Sequence, residues 1–95
     1  MIRHIVLIQL NDTATPEAVE GIHDALTALV APGRTSFTMG ADLGLRPGNM
    51  DVAIVADFED AEAFGAYDRD AAHDQIRREM IAPVSSRLER CQFQI

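Results

Sequence analysis

The chain has 95 residues, of which 47% are hydrophobic and 24% are charged, so it can form one domain with one modest core. Its formal net charge is -7, and all eight of its basic residues are arginine. A surface this acidic repels nucleic-acid phosphates and anionic lipids. The composition therefore predicts a single globular domain over residues 1–95 that binds neither nucleic acid nor a membrane.

The cysteine content and the N-terminal sequence bear on the compartment. The only cysteine, Cys91, cannot form a disulfide within the chain, and a lone thiol fits a reducing environment. Residues 1–6 run directly into strand-like sequence without the regions of a signal peptide. No apolar run approaches the ~20 residues of a membrane span. These features predict a cytoplasmic protein.

The first third of the chain predicts a strand followed by a helix. Residues 2–10 are apolar at both parities, which is typical of a strand covered on both faces. Thr15 suits a helix N-cap, Pro16 suits the first helical position, and Pro32-Gly33 ends the helix. The predicted apolar stripe of this helix comprises Val19, Ile22, Leu26, Leu29 and Val30.

The remaining chain adds three strands and a second helical region. The strands are predicted over residues 34–42, 51–58 and 88–95, with Cys91 packing in the last strand as a small hydrophobe. Asp60 caps the second helical region, Asp70 can cap again after an interruption, and Pro83 ends it. The order βαββαβ predicts a ferredoxin-like α+β fold, an antiparallel sheet with both helices on one face.

Such a sheet leaves one face without helices. Ile5, Leu7, Ala53 and Val55 fall on that face by parity. Together they form an apolar patch that is too large for a monomer to leave in water. The pattern therefore predicts a homodimer.

Three polar rings are candidates for chemistry. His73 precedes Ile76 by three residues on the predicted buried side of the helix, and Tyr67 shares a helical face with Phe64. If the parity of His4 faces the helices, all three rings meet between helix and sheet. Imidazole can transfer a proton near neutral pH and a phenol can hydrogen-bond a carbonyl, so the set suits proton transfer beside a carbonyl.

Structural interpretations stand beside this catalytic one. A buried histidine or tyrosine is more often a satisfied core residue than a catalyst. His23 lies beside the apolar stripe of the first helix, where solvent exposure is the more common outcome. The three histidines lack metal-ligand spacing and Cys91 lies on a distant strand, so no metal site is predicted.

The sequence resembles a known family along nearly its whole length. The resemblance lies in Ile2-Arg3-His4-Ile5-Val6-Leu7, in Val55-Ala56-Asp57-Phe58-Glu59-Asp60, and in Tyr67 to His73 followed by Ile81-Ala82-Pro83-Val84. These runs are similar to the stress-responsive A/B barrel (Dabb) domain. The resemblance implies a ferredoxin-like subunit and a homodimer whose two sheets face each other as a barrel.

The resemblance also implies functions that differ within the family. Some members are similar to stress-related assembly proteins, and one plant enzyme is a polyketide cyclase that works without a cofactor. In that cyclase a strand-1 histidine, a tyrosine and a helix histidine line the pocket, and by position they correspond to His4, Tyr67 and His73, which the resemblance implies as candidate catalytic residues. The His-Pro-x-His run common in the family reads Asp70-Ala71-Ala72-His73 here.

Two functions are therefore carried forward from the sequence. The first is a dimeric small-ligand-binding protein that acts as a cofactor-free, cyclase-like enzyme on a small carbonyl compound. The second is a non-catalytic structural or binding protein. Apart from these two, fold analogy alone adds a cofactor-independent monooxygenase. The expected ligand pocket comprises Val6, Ile8, Ile22, His23, Leu26, Phe64 and Ile76.

Overall fold

A computed structural model describes all 95 residues. Its four strands are β1 (Ile2–Leu10), β2 (Arg34–Ala41), β3 (Val52–Phe58) and β4 (Ser85–Gln94). Its α-helices are α1 (Pro16–Ala28), α2 (Ala61–Arg69) and α3 (Ala71–Ile76), and α3 continues as a π-helical stretch (Arg77–Ile81) and a 3₁₀ turn (Ala82–Val84). None of these helices is both long and apolar enough to cross a membrane.

The four strands form one antiparallel sheet in the order β2-β3-β1-β4. This is the predicted βαββαβ fold, and the two central strands are β1 and β3. In the register of β1, His4 lies opposite Ala56 on one side and Gln92 on the other. Residues directly opposite share a face of the sheet, so His4 turns toward the helices together with Val6 and Ile8.

The main core forms where α1 packs on the central strands. Ile8, Ile22 and Leu26 have almost no exposed surface there, and Phe58 is equally buried in a second cluster with Ala56 and Tyr67. Thr15 caps α1 as predicted, because its hydroxyl accepts a hydrogen bond from the backbone nitrogen of Ala18 at 3.1 Å. Ile22 and Leu26 are four residues apart on one helical face, which places both against the sheet.

The predicted stripe of α1 is wrong at its last member. The helix ends at Ala28, and Leu29 already has extended backbone angles (φ -58°, ψ 135°). Val30 is therefore carried away from the core and is 86% exposed. The helical periodicity continues for two residues beyond the point at which the backbone leaves the helix.

The last strand also differs from the prediction. It begins at Ser85 rather than at residue 88, because it pairs with β1 along the whole length of that strand, past a bulge at Gln9 and Leu10. The predicted alternation holds, but Cys91 lies opposite Ile5 on the sheet face without helices and is exposed in the subunit. Cys91 is therefore not part of the subunit core.

Gly33 fixes the close approach between the end of α1 and the start of α2. Its φ is +85°, a conformation that residues with a side chain rarely adopt. A Cβ atom at this position would lie 2.5 Å from the Cβ atom of Ala63. The backbone nitrogen of Glu59 also donates a 2.8 Å hydrogen bond to the Gly33 carbonyl. Glycine is thus required here both by conformation and by space.

We predict that Gly33→Ala lowers the free energy of unfolding by about 2 kcal/mol or more, because it adds backbone strain and a steric clash. Urea denaturation measures this change. Gly21→Ala is the matched control. Gly21 lies within α1, and its new Cβ atom would meet only the flexible end of the Met80 side chain, at 3.6 Å. Equal stability of the two variants would contradict the prediction.

Candidate functional site

The three predicted rings meet in one place between the sheet and the second helical region. His4, Tyr67 and His73 are 7%, 6% and 6% exposed, and all three line a cavity of about 30 Å³. The rings of Tyr67 and His73 stack with centroids 3.9 Å apart, and those of His4 and Tyr67 lie edge to face at 6.4 Å. This volume holds about one or two water molecules.

A break between two helices positions Tyr67 and His73. Asp70 ends α2 and caps α3, with its carboxylate accepting a 2.9 Å hydrogen bond from the backbone nitrogen of His73. The predicted interruption and second cap are therefore present. Because the helix stops at this point, the carbonyl of Tyr67 has no backbone N–H donor four residues later and can accept hydrogen bonds from other groups. The Nδ1 atom of His73 lies 2.8 Å from that carbonyl oxygen.

This hydrogen bond determines the protonation pattern of His73. A carbonyl oxygen can only accept, so Nδ1 donates and the neutral ring has its lone pair on Nε2. Burial lowers the pKa of His73 below its usual value, although the hydrogen bond to the Tyr67 carbonyl acts in the opposite direction. His73 is thus neutral at pH 7 and presents Nε2 as a base.

His4 has the opposite tautomer. The side-chain amide nitrogen of Gln92 lies 2.9 Å from Nδ1 of His4, and an amide nitrogen only donates. The neutral ring therefore holds its proton on Nε2. Burial, followed by the charge of His73, lowers the pKa of His4 to about 4. His4 consequently presents an N–H donor where His73 presents an acceptor.

Neither Nε2 atom has a hydrogen-bond partner within the protein. Every fully buried side-chain nitrogen or oxygen in the structure has a partner. The two Nε2 atoms therefore keep some contact with accessible space, which is the property that a ligand requires.

Tyr67 adds a protonated phenol beside the two imidazoles. Burial raises the pKa of Tyr67, against the influence of the nearby Arg34 guanidinium. The guanidinium carbon of Arg34 lies 5.9 Å from the centre of the Tyr67 ring. Tyr67 also packs on Phe58, with centroids 4.9 Å apart. The ring is held between Phe58 and His73 and stays protonated throughout the neutral pH range.

The cavity includes only part of the predicted ligand pocket. Val6 and Leu26 line it, whereas Ile8 and Ile22 lie deeper in the core. Phe64 contacts the ring of His4, with centroids 4.9 Å apart, but does not line the cavity. The other lining residues, absent from the predicted set, are Ile54, Asp68, Arg77, Ile81, Leu88 and Arg90.

Two of the predicted pocket residues lie elsewhere. Ile76 packs against the main core without reaching the cavity. His23 lies at a separate open groove of about 610 Å³ between α1 and the sheet edge, with half of its side chain exposed. No three histidine, cysteine or acidic side chains are grouped in a way that could hold a metal ion.

Comparisons with known proteins place the chain in a family. The model of the Stress Responsive A/B Barrel Domain (Dabb) matches residues 2–93. The chain belongs to the Dabb family. No curated protein matches this Dabb chain in sequence.

Solved structures agree with this family. A dimeric ferredoxin-like protein of unknown function from Thermobifida fusca is 39% identical, with a TM-score of 0.87, over 99% of this chain and 90% of that protein. The hydroxynitrile lyase from Passiflora edulis is 19% identical, with a TM-score of 0.87, over 99% and 92% of the two chains. A heme-degrading protein from Mycobacterium tuberculosis is 22% identical, with a TM-score of 0.72, over 100% and 95%. The last two share the fold.

The low pKa of His4 predicts how the stability of this Dabb subunit depends on pH. The pKa of His4 is about 4 in the folded chain, against 6.5 for an ordinary histidine such as that of the unfolded chain. Between these pH values the unfolded chain binds more protons, so stability is lost as the pH falls. The free energy of unfolding of the unmodified protein therefore falls between pH 7 and pH 4.5. We predict that in His4→Gln this fall is smaller by about 2 to 3 kcal/mol.

Urea denaturation at the two pH values measures this loss. His23→Gln is the matched control, because His23 is half exposed and lies away from the cavity. The control keeps the pH dependence of the unmodified chain. An identical pH dependence in His4→Gln would show that burial does not depress the pKa of His4.

Proposed function

We propose that this Dabb protein binds a small carbonyl compound at the His4–Tyr67–His73 cavity and catalyses proton transfer beside the carbonyl. The observation that carries the proposal is the pair of partner-free Nε2 atoms, one a base and one a donor, on two residues that line the same cavity. A base and an acid held in complementary tautomers are what enolisation or reversible carbon–carbon bond cleavage requires.

The roles follow from the tautomers. Nε2 of His73 removes the proton from the carbon or hydroxyl next to the carbonyl. Nε2–H of His4 donates to the oxygen on which negative charge develops, which stabilises the transition state more than the ground state. Tyr67 holds the tautomer of His73 through its main-chain carbonyl and supplies a protonated phenol near the same oxygen.

The size of the cavity restricts the substrate. A volume of about 30 Å³ admits the reacting end of a molecule and excludes a folded polyketide chain. This favours a small carbonyl compound over the substrate of a polyketide cyclase. A structural neighbour with the same fold is named a hydroxynitrile lyase, and that name supports the reaction class at the level of the fold.

A non-catalytic binding or structural role is the second candidate. The observation in its favour is that each imidazole already has one fixed partner, Gln92 for His4 and the Tyr67 carbonyl for His73. A small cavity lined by rings that are each held by one hydrogen bond is also compatible with a purely structural core. Activity measurements separate the two candidates.

Exchange of solvent deuterium into hydroxyacetone tests the proton transfer directly. We predict that the protein accelerates this exchange, measured by NMR, and that His73→Gln lowers the rate by about 100-fold or more. The rate of the unmodified protein rises with pH as the neutral form of His73 accumulates, and it levels off below the usual histidine pKa because burial lowers that of His73.

His23→Gln is the control for this exchange and keeps the full rate. Tyr67→Phe tests the phenol separately, since the ring stack and the main-chain carbonyl remain. No acceleration by the unmodified protein, or an unchanged rate in His73→Gln, would favour the non-catalytic role.

We further propose that the protein is a homodimer formed through the sheet face opposite the helices. We call this surface the free face, and it comprises Ile5, Leu7, Ala53, Val55, Cys91 and Phe93. Leu7 and Phe93 are 38% and 44% exposed in the subunit. The 39% identical protein from Thermobifida fusca is described as dimeric, which supports the proposal.

The same face carries a polar network that a partner copy would cover. Asp57 accepts hydrogen bonds from Arg3 at 2.8 and 2.9 Å and from Ser36 at 3.1 Å. The hydrogen bonds from Arg3 lower the pKa of the Asp57 carboxyl. Because the carboxylate is paired before assembly, a partner can cover it without leaving an uncompensated charge.

We predict that Leu7→Arg converts the dimer to monomer or unfolds it, because assembly would then bury an unpaired charge. Light scattering at micromolar concentration measures the mass, and circular dichroism measures the fold. Val30→Arg adds the same charge at a position that is 86% exposed beyond α1, and it leaves the dimer intact. A monomeric mass for the unmodified protein would contradict the proposal.

A further inference from the structure

The mouth of the His4–Tyr67–His73 cavity opens beside a concentration of positive charge. Four of the eight arginines, Arg77, Arg78, Arg87 and Arg90, line one groove of about 360 Å³ between the π-helical stretch and β4. We call it the basic groove. It is notable in a chain with a net charge of -7, whose overall field repels anions.

The basic groove adjoins the cavity. Both are lined by Arg77, Ile81, Leu88 and Arg90, so a ligand that reaches the cavity along these side chains meets the groove. The cavity itself admits only a few atoms. A larger ligand that leaves the cavity along these shared side chains places its remaining part in the groove, so the chemistry of the groove decides which of these ligands fit.

The arginines differ in how far their charges are already paired. Arg78 pairs with Asp74 at 2.8 Å, and Arg87 pairs with Glu89 at 2.9 Å. Arg77 contacts the carboxylate of Asp68 at 3.0 Å and that of Asp74 at 3.5 Å. The side chain of Arg90 makes no hydrogen bond or ion pair, although it borders both the cavity and the groove.

We propose that Arg90, with Arg77 beside it, forms an oxyanion-binding site at the cavity mouth, so that the ligand is a small carbonyl compound carrying a carboxylate or phosphate group. The negatively charged group lies in the basic groove, and the carbonyl enters the cavity toward His4 and His73. The proposal deepens the function proposed above and rests on it for the carbonyl end. A guanidinium suits this role because its planar N–H groups match carboxylate and phosphate oxygens.

The test compares pyruvate with methyl pyruvate, which keeps the ketone and removes the negative charge. Binding is followed by NMR through the ring protons of His4 and His73. We expect pyruvate to bind more tightly than its ester. Arg90→Gln lowers the affinity for pyruvate by about tenfold and leaves the affinity for the ester unchanged. Added salt lowers the affinity for pyruvate but not the affinity for methyl pyruvate, because only pyruvate binds through an interaction between charges at an open site.

Arg46→Gln is the matched control. Arg46 lies in the exposed loop between β2 and β3, and its loss changes the net charge by the same amount far from the groove. An equal effect of Arg46→Gln and Arg90→Gln on pyruvate would overturn the proposal, since only net charge would then matter. Equal affinity for pyruvate and methyl pyruvate would also overturn it, while leaving the proposed carbonyl chemistry intact.

Inorganic phosphate tests the groove without the carbonyl site. Phosphate binding that is lost in Arg90→Gln and kept in Arg46→Gln supports the oxyanion site even if neither ketone binds, in which case the proposed function fails alone. Absence of both phosphate and pyruvate binding up to tens of millimolar, roughly the weakest affinity of use to a cell, would overturn the inference.

Discussion

The main-chain carbonyl of Tyr67 is the acceptor on which the candidate site depends. It receives the backbone N–H of Asp70 at 3.2 Å and the Nδ1–H of His73 at 2.8 Å, at the point where α2 stops. An uninterrupted helix would direct this carbonyl along its own axis to a later backbone N–H. The break between the helices lets the Tyr67 carbonyl accept from His73, and this hydrogen bond orients the imidazole. The same imidazole stacks on the ring of Tyr67.

Strand β1 has two roles, which its alternating side chains keep apart. His4, Val6 and Ile8 face the helices and supply both the core and the site, whereas Ile5 and Leu7 lie on the free face. A polar ring in a central strand is costly to bury, and the hydrogen bond from Gln92 on β4 offsets that cost. In a chain of this length, the candidate site and the free face are separated by the thickness of a single strand.

Much of the fold could be predicted from short-range patterns in the sequence. The caps at Thr15, Asp60 and Asp70 were predicted because capping depends on residues only three apart. Alternation grouped His4 with Val6 and Ile8, and the structure shows that this side of β1 faces the helices. Val30 was placed wrongly because periodicity shows the direction of a side chain and does not show where the backbone turns away. The family resemblance was confirmed over residues 2–93.

The cavity lining was harder to predict, since it depends on depth and on register between distant segments. Ile8 shares a face with His4 but lies too deep in the core to reach the cavity. Arg90 reaches it because β4 pairs with β1 in a register that sets Arg90 opposite Val6. An arginine in an exposed alternating strand reads as a solvated residue, and only the pairing of strands shows what lies beside it.

The π-helical stretch determines which residues of that segment face the cavity. His73, Arg77 and Ile81 all line it at four-residue intervals, and two such steps along an α-helix would diverge by about 80°. The wider turn, in which Ala82 N–H bonds to the Arg77 carbonyl five residues back, brings Ile81 into line again. Deleting one residue there would restore ordinary α-helical winding and rotate a different side chain into the mouth. Relatives could thus diverge in specificity through a change of segment length, without any substitution among the three rings.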